Sequence, residues 1–127
     1  MTAPGRGRAT IYSGRRQESE SLKGAIVTCD GALLAPSVSQ KLRNHSPDGF
    51  EWGYGGSGPA QLALAILIDY YGLDAPEVTS YQDFKFKVIA RLPDQWTLSG
   101  EQIEHAMIEI ALGVDVLRIT PFSGGAA

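Results

Sequence analysis

Between Pro59 and Tyr71 the chain reads PAQLALAILIDYY, in which only Gln61 and Asp69 are polar. A helix that is apolar on every side has to be surrounded, because laying it on a surface would leave much of it facing water. Its start and stop are written in the flanks. Proline at a first helical position gives up no hydrogen bond, which would make Ser57 or Gly58 the N-cap, and Gly72 suits the residue after the last turn. Thirteen residues span about 20 Å. Each buried leucine or isoleucine contributes roughly 1.5–3 kcal/mol. One central, fully buried helix is therefore expected to organise the core.

A chain of 127 residues is enough for one domain around such a helix. Cys29 is alone, so no internal disulfide is expected and a reducing compartment is the natural reading. No apolar core of a signal peptide occupies the first twenty residues, and the longest apolar run, Leu62 to Ile68, falls far short of the roughly 20 residues that span a bilayer. A cytoplasmic protein without a membrane partner is expected. Small, glycine-rich ends suggest a disordered basic tail over 1–8, a single domain over 9–122 and a second disordered tail over 123–127.

The remaining elements read as follows. ATIYSG (9–14) is a strand, and the polar stretch 15–24 is an exposed loop. AIVTCDGALLAP (25–36) is a hairpin around Asp30-Gly31, a pair suited to a two-residue type I′ turn, with Pro36 ending its second strand. A helical turn over 37–42 is followed by the turn SPDG. Residues 79–93 fit both helical spacing (Tyr81, Phe84, Val88, Leu92) and strand alternation; the start signal Ser80 with Asp83 favours helix. Ser99 with Gln102 is a capping box for an amphipathic helix over 100–112, stopped by Gly113, after which 114–120 can return as a strand. The fold class is α+β: a small antiparallel sheet of three or four strands packed on two or three helices.

The glycine-rich loop FEWGYGGSGP (50–59) poses the functional question. Gly53, Gly55, Gly56, Ser57 and Gly58 precede a helix and can point N–H groups at an anion, so a phosphate- or nucleotide-binding domain is one reading. The stretch lacks the lysine and following hydroxyl of a P-loop, and it has no strand–turn–helix setting of a dinucleotide fingerprint. Glycines that let Trp52 and Tyr54 tuck against the central helix are the favoured explanation. No histidine or lysine stands near Ser57 in sequence to activate it as a nucleophile.

FEWGYGGSGPAQLALAIL, followed by YQDFKFKVIARLP and then Trp96, resembles a family of small bacterial, phage and plasmid proteins known only as a domain of unknown function. The similarity covers about residues 11 to 111, and its most specific string is WGYGGSGPAQLA. The resemblance implies a compact domain associated with mobile elements, with no catalytic residues to carry over. It also implies a role in blocking a host component, such as a CRISPR effector or another defence protein.

The remaining constellations have ordinary explanations beside chemical ones. Glu101, His105 and Glu109 share a helix face, but lack the Glu-x-x-His spacing of bundle metal sites and read as a solvated stripe. No metal and no cofactor is expected. Cys29 with His45 or His105 as a thiol nucleophile loses to a small buried cysteine. Asp48 and Glu51 as an acid/base pair lose to turn chemistry. Arg6, Arg8, Arg15 and Arg16 form a basic arm that could touch phosphates, although no base-reading element accompanies it. Residues 1–47 carry a charge of +4 and residues 48–115 a charge of −8.

The favoured function is a non-enzymatic module that binds a host protein or complex, with nucleic acid an unlikely partner. Phe50, Glu51, Trp52 and Tyr54 are the expected contact residues, since interface hot spots favour aromatics. Glu101, Glu104 and Glu109 on the last helix form a second candidate patch.

Overall fold

A computed structural model describes residues 6–18, 23–72 and 78–113. Strands β1 (Ile11–Glu18), β2 (Lys23–Cys29), β3 (Ala32–Leu33) and β4 (Trp96–Ser99) form one antiparallel sheet in the order β3-β2-β1-β4. Between β3 and β4 the chain makes α1 (Ser37–Leu42), α2 (Ser57–Tyr71), α3 (Val78–Lys87) and a short 3-10 turn, Ile89–Arg91. Helix α4 (Gly100–Leu112) follows β4 directly. The architecture is the α+β fold that the sequence predicts.

Register explains which sheet face is apolar. Tyr12 stands opposite Cys29 on one side and Leu98 on the other, and Gly14 stands between Val27 and Trp96. These residues alternate along their strands and are buried, so they line the face that packs on the helices. Asp30 and Gly31 both have positive φ, 50° and 87°, as a type I′ turn requires.

Helix α2 fills the middle. Twelve of its fifteen residues are buried, as the apolar block demands. It begins two residues before the expected start: Gly56 is the N-cap, and Pro59 occupies the third helical position. That still costs no hydrogen bond, because the first intrahelical acceptor, Gly56 O, receives Ala60 N. Gly72 ends the helix at φ 105°. Helix α4 has the full capping box between Ser99 and Gln102, and Gly113 closes it in the left-handed conformation.

Three expectations need correction. The stretch 15–24 is not a simple loop: β1 and β2 stay paired out to Glu18 and Lys23, as a two-stranded ribbon whose polar composition hides its strand character. Strand β4 is not expected from the sequence, because its Trp96 and Leu98 alternate only twice. Within the tail expected over 1–8, residues 6–8 are docked: Arg6 N donates to Tyr70 O, and the side chains of Arg6 and Arg8 are bound to α2 and α4. The strand expected over 114–120 and the tail over 123–127 lie outside the described residues. Among the described residues, no helix is long and apolar enough to cross a membrane.

Candidate functional site

The glycine loop divides into a buried half and an exposed half. Phe50 is 6% exposed and Trp52 1%, so neither ring is available to a partner, which corrects their assignment as contact residues. Trp52 meets Trp96 edge to face at 5.6 Å between ring centroids. Neither indole N–H finds an acceptor among the described residues. Gly53 turns the chain outward at φ 88°, and its N–H is held by Ile89 O at 3.0 Å.

Beyond that turn the rings face solvent. Tyr54 is 52% exposed and Phe86, from the end of α3, 56%. The loop glycines are fitted to these rings. A methyl on Gly55 would sit 2.8 Å from the Phe86 ring, and one on Gly56 would sit 2.5 Å from Tyr54. At Gly58 it would meet the Cβ of Glu51 at 2.7 Å. Close approach, together with one positive φ, accounts for the run of glycines. Sequence reasoning overlooked Phe86, which meets the loop at Gly55 only when α3 folds back onto it.

Arg16 anchors the buried half. Its guanidinium lies 4.5 Å from the centroid of the Trp52 ring, donates to Trp52 O at 3.2 Å and to Glu51 at 2.8 Å, and pairs with Asp94. Arg6 donates twice to Asp69 at 3.1 Å, and Arg8 pairs with Glu101 at 3.1 Å and with Glu104 at 3.6 Å. Arg15 lies between Gly14 and Arg16 on β1. The opposite charges of the two halves of the sequence thus meet inside one molecule. Three of the four arginines proposed for phosphate contacts are bound to carboxylates.

Asp69 is the hub of a second network. It accepts from Tyr12 Oη at 2.6 Å as well as from Arg6, and the Cys29 thiol also reaches it. Burial pushes its carboxyl up, but hydrogen bonds from Arg6 and Tyr12 and the charge of Arg6 outweigh this and hold it below the ordinary carboxylate range. The Cys29 thiol is pushed up to about 11, first by burial and then by the Asp69 charge. A thiol kept protonated and buried is a poor nucleophile, so Cys29 belongs to the packing. Beside this hub a cavity of about 140 Å³ is lined by Leu34, Ala35, Val38, Ala65 and Ile68, with Asp69 on its wall.

Gln61 serves a third cluster. Fully buried in α2, it accepts from the backbone N–H groups of His45 and Ser46 at 2.7 and 3.0 Å and donates to Ser39 Oγ and Arg43 O. His45 Nε2 lies 2.6 Å from Tyr81 Oη. Burial, then the charges of Arg43 and Lys85, lower the His45 pKa. Lys85 shares the inward face of α3 with Tyr81 and Phe84, and it is only 8% exposed. Its Nζ rests 3.9 Å from the centroid of the Phe86 ring.

On α4, Glu101 is exposed and paired, Glu104 also accepts from Tyr70 Oη, His105 is exposed and Glu109 is half-buried. No group of three potential metal ligands occurs among the described residues. Asp48 is exposed, whereas Glu51 is held by Arg16, so the two do not act as a pair.

The model of a family described as "Family of unknown function (DUF6166)" matches residues 12–109. The chain belongs to this family. The DUF6166 span runs from β1 into α4 and contains the glycine loop, Phe86, Lys85, and Asp69 with Tyr12 and Cys29; Arg6 and Arg8 lie before it. A search of curated proteins finds no match, nor does a search of solved structures.

Proposed function

We propose that this DUF6166 chain is a non-enzymatic protein-binding module whose contact surface centres on Tyr54 and Phe86. One observation carries the reading: two aromatic rings, each more than half exposed, flank a loop whose glycines leave no room beside them. Aromatic side chains give large contact area at low entropic cost and dominate interface energetics. The loop is braced from below by Trp52, Trp96 and Arg16, so the exposed rings are presented on a prepared surface. The groups weighed for chemistry have other engagements: Cys29 and Asp69 with each other, His45 with Tyr81, Glu51 with Arg16.

The narrower form of the proposal is an inhibitor of a host defence complex, carried by a bacterial or phage mobile element. It rests on the resemblance noted in the sequence. Immobilised wild-type protein and the Tyr54→Ser/Phe86→Ser variant are exposed to the same host lysate. A protein retained by the first and not by the second supports the reading; identical sets of retained proteins contradict it.

A further inference from the structure

We propose that His45 is a pH-operated latch: its neutral imidazole fastens the segment 43–46 to α3, and protonation releases it.

Segment 43–46 leads out of α1 and is held from two sides. Gln61 of α2 holds its backbone, through the N–H groups of His45 and Ser46 and the carbonyl of Arg43. The His45 side chain ties it to α3, with Nε2 2.6 Å from Tyr81 Oη and the two rings tilted at 57°. Arg43 and Asn44 are exposed and His45 is half-buried, so water reaches the segment. Tyr81, by contrast, is 2% exposed.

That difference fixes the direction of the hydrogen bond. A buried phenol must place its proton on an acceptor, and among the described residues the imidazole nitrogen is the one that meets Tyr81 Oη. Tyr81 therefore donates, Nε2 accepts, and neutral His45 carries its ring proton on Nδ1. A proton added at Nε2 turns that acceptor into a donor and leaves the phenol without a partner. The surroundings also disfavour the cation. Burial does so first, and the positive charges of Arg43, on the same segment, and Lys85, on α3, add to it. Helix α2 meets the segment with Gln61, which is neutral. The imidazolium is better accommodated in the water that reaches the segment.

The sign follows from these causes. The folded-state value of His45 lies below its unfolded one, so the latch contributes fully above about 6.5 and is lost as pH falls through the folded value. Release is local, because Gln61 does not titrate and Tyr81 stays packed with Phe84 and Val88 in the core.

The inference is independent of the protein-binding reading and is tested without a partner. His45 and His105 are the two histidines of the chain, so ¹³C,¹⁵N-labelled His105→Gln protein carries a single imidazole. Its ring shifts and amide protection factors are followed from pH 8 to pH 5. The expected result is a His45 midpoint below about 6.5 and a fall of about tenfold in protection at His45 and Ser46 with the same midpoint, while the α2 interior stays protected. Tyr81→Phe, which removes the donor to the neutral ring, should raise the His45 midpoint. His45→Gln, which cannot titrate, should keep protection at residues 45 and 46 constant across the range. Protection that does not follow the ring, a fall that persists in His45→Gln, or a midpoint unmoved by Tyr81→Phe overturns the proposal.

Discussion

Trp96 lies across Gly14 with no room for a methyl group between them: a Cβ on Gly14 would stand 2.3 Å from the indole ring. The two residues are also register partners in β1 and β4, so the contact joins the sheet to the buried half of the glycine loop. Gly14→Ala must displace the indole and disturb its edge-to-face contact with Trp52. Overpacking of this kind costs about 1–3 kcal/mol. Urea denaturation followed by tryptophan fluorescence should show a lower midpoint at unchanged slope; an unchanged midpoint would mean that Trp96 is not seated on Gly14.

Asp69 makes stability depend on pH at both ends. Its folded-state carboxyl lies below its unfolded value, so its contribution is complete above that value, about 3.9, and is lost as pH falls through the folded one. Tyr12 behaves in the opposite sense. Burial, and then the hydrogen bond to Asp69, push its phenol far up, so its contribution is complete below about 10 and declines as pH rises further. Urea midpoints measured from acid to alkaline pH should show both declines. Asp69→Asn should flatten the acid limb, and Tyr12→Phe the alkaline one.

The Cys29 thiol should be silent in the native protein. With its pKa pushed up to about 11, little thiolate exists at pH 8. Reaction with a chromogenic disulfide reagent should be at least about a hundredfold slower than in denaturant. Comparable rates in the two conditions would place the thiol in solvent.

Gln61→Leu should release the segment 43–46. The substitution keeps the volume but strands the N–H groups of His45 and Ser46, which donate to no other acceptor among the described residues. A loss of about 2 kcal/mol is expected. Amide hydrogen exchange at His45 and Ser46 should accelerate well before that of the α2 interior.

Legibility in the sequence followed the range of the interactions. Helix α4 could be read to the residue because Ser99, Gln102 and Gly113 act within one turn of its ends. The hairpin was equally plain, since Asp30 and Gly31 carry the turn themselves. Strand β4 was not, because its four residues become a strand only by pairing with β1, more than eighty positions earlier. The glycine loop misled in the same way. Trp52 looks like a surface aromatic until Trp96 and Arg16 arrive from other elements to cover it, and Phe50 is buried in the same core. Lys85 sits one helical turn after Tyr81 and three residues before Val88 on an otherwise apolar face; its stem is buried there and its ammonium lies against the Phe86 ring.

The central claim is that the exposed half of the loop binds while the buried half only supports it. The direct test is the affinity of the captured partner for wild-type protein and for Tyr54→Ser/Phe86→Ser, measured by calorimetry beside the melting temperature of each. A loss of at least about thirtyfold, near 2 kcal/mol, with the melting temperature unchanged is the predicted result. Equal affinity for the two proteins would contradict the account.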